Sequence, residues 1–190
     1  GTQYRAVTTS VAAISSVSGL VTDATTTTTE VATGVNASSS RSERVWHSSV
    51  LYDTSNWCLG RPQTTQVIAS HSLTDGNAVT RTTGRTWDGL TCRLTQSVEE
   101  PGNSTLQVTT TPGYDGFGNV NSVAVAGIGM TTRPTTGYWG TSGQSLRTVT
   151  NALSQTTTLK WNDSVGEVAS VTGPNGLVTS WGYDAFGRRT

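Results

Sequence analysis

The residues able to do chemistry in this 190-residue chain are few and scattered. The stretch "HSLTD" sets His71 four residues before Asp75, and with a serine such a pair could support acyl transfer. No G-x-S-x-G elbow accompanies it, so a chance pairing in a Ser/Thr-rich hairpin is the expected reading, and His47 is expected on a strand surface. His, Cys, Asp and Glu show no transition-metal spacing. The Asp-Gly turns lack the oxygen spacing of a calcium loop, and "GFGNVNS" has no following Lys and helix to cradle phosphate. We therefore expect no catalytic residue, no metal site and no cofactor. Cys58 and Cys92 are expected to be separate thiols, with a bridge between neighbouring strands as the alternative.

Tryptophan offers another chemistry. Six of them, at 46, 57, 87, 139, 161 and 181, could stack on sugar rings, with Trp139, Trp161 and Trp181 as the candidates. Trp161 and Trp181 recur at equivalent strand ends of a repeat, which favours a packing role. Asn36, Asn103 and Asn162 open formal glycosylation sequons, read as incidental.

The elements that must carry these residues are strands. Thr makes up roughly a fifth of the chain, and β-branched residues favour a pleated surface over a helix. With 21 Gly and only 5 Pro, the composition predicts an all-β protein with many tight turns. Twelve basic and twelve acidic residues balance to zero, which disfavours binding to nucleic acid or anionic lipid. No apolar run is long enough to span a bilayer, and no signal peptide opens the chain.

The Thr-rich stretch 7–34 is read as strands broken at Ser18-Gly19. Residues 1–43 then form a Ser/Thr-rich β segment of the same sheet as 44–190. Turns are expected at "TDGN" (74–77), "WDGL" (87–90), "EPGN" (100–103), "YDGFGN" (114–119), "NDSVGE" (162–167), "GPNG" (173–176) and "YDAFG" (183–187). Turns this frequent, with no helical periodicity between them, predict a meander of hairpins.

Residues 151–166 align with 172–187 at an offset of 184 − 163 = 21, matching Asp163 to Asp184 and Gly166 to Gly187. Tyr114, Asp115 and Gly118 form an earlier copy, and "YWGTSG" (138–143) a worn one. In the pattern Tyr-Asp-x-x-Gly, the aromatic of Tyr114 or Tyr183 ends a strand. The Asp accepts a backbone N–H two residues on, and the Gly takes a conformation costly for other residues. One hairpin cannot bury its own apolar face, so copies must pair edge to edge in a sheet that curls with its twist.

These residues closely resemble the RHS/YD-repeat proteins of bacteria, through "NWCLGRPQTTQV" (56–67), "YDGFGNV" (114–120), "TNALSQTTTLKW" (150–161) and "TGPNGLVTSWGYDAFGRRT" (172–190). The resemblance covers residues 44–190. It implies consecutive antiparallel hairpins forming a curled, open segment of a spiral β-shell, as in Tc-toxin B/C components and RHS polymorphic toxins. It further implies a secreted or cell-surface bacterial parent, whose partners are neighbouring RHS repeats and an encapsulated C-terminal effector. The family's terminal autoproteolytic segment and toxin domain are missing, so the chain is expected to be an internal piece with unpaired strand edges. The alternative function is a cell-surface adhesion or carbohydrate-binding module that meets cell-surface glycans through its Trp residues.

Overall fold

The computed structural model describes residues 2–16, 18–33, 40–52, 58–71 and 78–190. They form strands and turns, with no helix among the described residues, and group into two compact units, Gly1–Val108 and Thr109–Thr190. The first holds β1 (Thr2–Ile14), β2 (Val21–Thr33), β3 (Ser40–Tyr52), β4 (Pro62–His71), β5 (Val79–Trp87) and β6 (Leu94–Glu99). The second holds β7 (Val108–Tyr114), β8 (Val120–Gly127), β9 (Arg133–Tyr138), β10 (Thr148–Thr150), β11 (Thr156–Asn162), β12 (Glu167–Thr172) and β13 (Val178–Ser180). Within each unit, sequence neighbours are sheet neighbours, and neither unit closes into a barrel. The all-β meander expected from composition and turn spacing is what the chain adopts.

The Thr-rich stretch is indeed strand. Thr25 to Thr29 of β2 lie between Ser10 to Ala6 of β1 and His47 to Glu43 of β3, and the hydroxyls of Thr9 and Thr26 meet across the strands at 3.2 Å. Such cross-strand pairs let a polar β-branched surface support a sheet without burying it. The pairing of β4 with β5 flanks the "TDGN" turn, whose residues 72–77 lie outside the described set, as do Asn36 and Trp57.

Burial is thin on both faces. Among the described residues Cys58, 2% exposed, is the single buried hydrophobic side chain. Most strand positions are half-buried, as in β8 and β12. Backbone pairing and contacts at the turns therefore hold these strands together to an unusual degree.

The expectation of separate thiols is corrected: Cys58 and Cys92 are joined by a disulfide. Because β4 and β5 lie side by side and antiparallel, the loop entering β4 and the loop leaving β5 emerge on the same edge. A separation of 34 residues thus folds back to 5.4 Å between Cα atoms. Closing a loop of this length removes chain entropy worth about 4 kcal/mol from the unfolded chain.

Two kinds of turn recur. In the five-residue kind the first N–H donates to the fifth carbonyl and the fourth N–H to the first carbonyl, as at Asp115–Asn119, Asn151–Gln155, Gly173–Leu177 and Asp184–Arg188. The fourth residue is left-handed: Gly118, Ser154, Gly176 and Gly187 have φ of 93°, 61°, 78° and 76°. The six-residue kind moves this role to the fifth residue, as in the turns opened by Ser15, Asp88 and Asn162. Gly19, Cys92 and Gly166 hold it, at φ 69°, 52° and 71°.

A side chain with a Cβ at such a position costs about 1 kcal/mol. Ser154→Gly should therefore raise stability by about 0.5 kcal/mol after the greater freedom of the unfolded glycine chain is deducted, and Gly187→Ala should lower it by about 1 kcal/mol. Urea unfolding of the two variants beside the parent sequence measures both.

Candidate functional site

The chemistry-bearing residues gather at the turns rather than in a pocket. Consecutive antiparallel strands send alternate turns to opposite edges, so in the second unit one edge carries the turns at 115–119, 139–147, 162–167 and 184–188. An aromatic precedes or opens each: Tyr114, Trp139, Trp161 and Tyr183. In the first unit Tyr52 closes β3 and Trp87 closes β5 on an equivalent edge.

Five of these aromatics make the same bond. Tyr52 Oη donates to the Val21 carbonyl at 3.0 Å, and Trp87 Nε1 to Pro62 at 3.0 Å. Trp139 Nε1 donates to Val120 at 2.9 Å, Trp161 Nε1 to Leu146 at 2.8 Å, and Tyr183 Oη to Val168 at 2.8 Å. The backbone register beneath them ends at Ser49↔Asp23, Gly84↔Thr64, Thr136↔Ser122, Thr158↔Thr148 and Ser180↔Ser170. In every case the donor lies three residues beyond the last pair (52 − 49, 84, 136, 158 and 180 likewise) and the acceptor two residues before it. The aromatic thus extends the ladder by one bond where the strands splay into their turns. A carbonyl that the ladder leaves unpaired acquires a donor, and the ring covers the strand end.

The polar half of the motif caps the turn. Asp184 Oδ1 accepts from the N–H groups of Phe186 at 2.9 Å and Arg188 at 3.0 Å, while Arg188 Nε donates to Oδ2 at 2.6 Å. Asp115 accepts from Phe117 and Asn119, both at 2.9 Å, and its Oδ2 takes the Asn119 amide at 3.2 Å. Asn151 repeats the arrangement without a charge, accepting from Leu153 at 2.9 Å and Gln155 at 3.0 Å. "NALSQ" is therefore another copy of the turn, hidden because Asn replaces Asp and Ser replaces Gly. Asn103 likewise spends its side-chain oxygen on the amides of Thr105 and Leu106.

At the third copy the geometry differs from the sequence alignment. Asn162, rather than Asp163, accepts from Ser164, at 3.1 Å, because the six-residue loop has one residue more than the loop at Asp184. The equivalent offset is thus 184 − 162 = 22, while Gly166 and Gly187 keep the left-handed place. Asp163 is 83% exposed and pairs with Arg147 at 3.5 Å.

Neighbouring turns on this edge touch. Asn119 Nδ2 donates to the Gly143 carbonyl at 2.6 Å, and a Cβ on Gly143 would collide with the Phe117 ring. The Arg147–Asp163 pair continues the series, and a Cβ on Gly187 would lie 3.8 Å from that of Val165. In the first unit the Cys58–Cys92 bond and the Arg61 guanidinium, 5.3 Å from the Trp87 ring centre, link two turns in the same way.

The three tryptophans proposed for sugar stacking are half-buried. Trp139 and Trp161 spend their N–H on the backbone, and Arg189 lies over Trp181, 4.7 Å from the ring centre. His71 ends β4 and His47 lies within β3, but their side chains and the whole of Asp75 fall outside the described residues. Among the described residues no three His, Cys, Asp or Glu side chains gather as a metal set. A hollow of about 670 Å³ between the turns at 128–132 and 151–155 is lined by Met130, Leu153 and the single charge of Arg133.

Three carboxyls are held below their ordinary value of 3.8. For Asp88 the Thr91 hydroxyl and then the amides of Thr91 and Leu90 are responsible. For Asp115 partial desolvation pushes upward, but the Asn119 amide and side chain, with Phe117 and Gly118, outweigh it. For Asp184 the Arg188 amide leads, opposed by desolvation and reinforced by the Arg188 side chain and the Phe186 amide.

Against known proteins, the family model described as RHS Repeat matches residues 163–190. No curated protein matches the sequence. Among solved structures, the crystal structure of TcdB2-TccC3 without its hypervariable C-terminal region matches with a TM-score of 0.59 and 12% identity. The match covers 90% of this chain and 12% of that one, so this chain spans about an eighth of its length. The resemblance to the RHS/YD-repeat family is borne out, and the fold is that of this Tc-toxin neighbour.

Two measurements test the edge. Tyr183→Phe removes one hydroxyl and should cost about 1 kcal/mol, with Trp161→Phe costing a similar amount, by urea unfolding. Because depressed carboxyl values stabilise the fold above the unfolded value, stability should be level above about pH 4. It should fall as pH drops through the folded values of Asp88, Asp115 and Asp184. Asp184→Asn, which keeps an Oδ1 acceptor as Asn151 does, should reduce that fall; an unchanged acid response would refute the assignment.

Proposed function

We propose that this chain is a non-catalytic wall segment of an RHS shell, which in a longer secreted or surface-exposed bacterial protein encloses a C-terminal effector. The observation carrying this reading is the edge itself. Five strand ends repeat one aromatic bond, the side chains of Asp88, Asp115, Asn162 and Asp184 cap their turns, and neighbouring turns touch, so the chemistry-bearing residues are consumed in extending a sheet. The same observation weighs against the glycan-binding alternative, because the rings such a ligand needs are half-buried or overlaid by Arg189. Its partners are then further strand–turn–strand repeats and the enclosed effector.

The test is protease protection in the longer protein that carries this segment. The effector should survive digestion in the intact assembly and be degraded when Trp161→Ala and Tyr183→Ala together loosen the wall. An effector cleaved at equal rates in both disproves enclosure. Polysaccharide pull-down with the same chain should recover nothing; specific capture lost on Trp161→Ala would establish the glycan-binding function instead.

A further inference from the structure

Of the three described six-residue turns, two place glycine at the left-handed position, Gly19 and Gly166, whereas the 88–93 turn places Cys92 there at φ 52°. A residue with a Cβ bears a cost in this conformation, as Ser154 and Glu100 also do, and a fixing group can offset that cost. Here the fixing group is the bond to Cys58, which is 2% exposed and belongs to the neighbouring turn. We propose that the Cys58–Cys92 disulfide is a redox lock on the 88–93 turn, closed in an oxidising compartment and opened by a dithiol reductant in a reducing one.

The exchange is balanced within that chemistry. A thiolate of the dithiol attacks the Sγ of Cys92, the more exposed of the two residues, and the S–S electron pair leaves with Cys58 Sγ, which takes a proton. The second thiolate of the reductant then attacks its own sulfur in the mixed disulfide and expels Cys92 as the other thiol. The dithiol is oxidised to a disulfide and both cysteines are reduced.

The freed thiol has a specific consequence. Cys58 Sγ lies 3.7 Å from the Asp88 carbonyl, the group to which the Cys92 N–H donates at 2.9 Å to hold the loop. Once protonated, Cys58 can donate to the same oxygen while Cys92 loses the tether that keeps it left-handed. Relaxation stays local, because the bond from Trp87 to Pro62 and that from the Arg61 N–H to the Cys58 carbonyl do not involve sulfur. Under the shell reading, on which this consequence rests, passage from an oxidising to a reducing compartment loosens one turn of the wall.

Hydrogen exchange of the full chain, with and without dithiothreitol, tests the lock. Intact-mass measurement should show a gain of two hydrogens on reduction. The Asp88 and Cys92 amides should then exchange about tenfold faster, with those of Asp115 and Asp184 unchanged. The double variant Cys58→Ala/Cys92→Gly, carrying the residue the other turns use, should keep slow exchange and ignore dithiothreitol. Equal exchange in the oxidised and reduced chain, or absence of the bond from air-oxidised protein, overturns the proposal. Because the readout is a single turn, it is independent of whether a shell assembles.

Discussion

The interaction on which these strands depend is the bond from an edge aromatic to the carbonyl at the start of the preceding strand. A β-ladder must end somewhere, and where two strands diverge into their turns the final carbonyls lose their partners. Placing a Trp or Tyr three residues past the last pair resolves this with one side chain that is a donor at its tip and a hydrophobic plate along its length. The constraint runs backwards into the sequence. The aromatic must sit directly before the turn, the turn must start at once, and a short loop then requires a left-handed residue near its end. Tyr-Asp-x-x-Gly is the set of residue types that meets these demands together.

Much of this was legible beforehand. Alternating β-branched residues and Gly-bearing turns announced an all-β meander, and the recurrence of Trp161 and Trp181 at strand ends indicated a structural role, although the residue that repeats the Trp161 bond is Tyr183. What remained hidden shares one cause: it depends on strand neighbours rather than on sequence neighbours. Nothing in the residues around Trp161 names Leu146 as its acceptor, and nothing near Cys58 points to Cys92, until β10 and β11, or β4 and β5, are laid side by side. The turn at Asn151 escaped for a different reason. Its Asn and Ser reproduce the geometry of Asp and Gly while abandoning the letters, and the alignment on Asp163 matched the letters while missing the extra residue in the loop.

The same economy explains why a chain with six tryptophans and scattered acids shows no convergent set of reactive groups among its described residues. Asp115 and Asp184 are saturated by amides and by Asn119 or Arg188, and the indole N–H groups of Trp87, Trp139 and Trp161 are already bonded. Groups so engaged offer little to a substrate. With thin burial on both faces, each hairpin leans on its neighbours at the edge, through Phe117 on Gly143, Arg147 to Asp163, or the covalent link of Cys58 to Cys92. Stability of this kind is additive along the chain, in contrast to that of a globule organised around one interior.

The alternation of turns between two edges has a genealogical consequence. An edge aromatic returns to its own side only after two strands, so duplicating or deleting a single strand would move every later aromatic to the opposite side and away from its acceptor. Growth of such a chain by copying is therefore quantised in strand pairs, while loops between them are free to drift by a residue. Between the last two copies the turn starts are 184 − 162 = 22 residues apart and the left-handed glycines 187 − 166 = 21, and that difference of one residue is the trace of that tolerance.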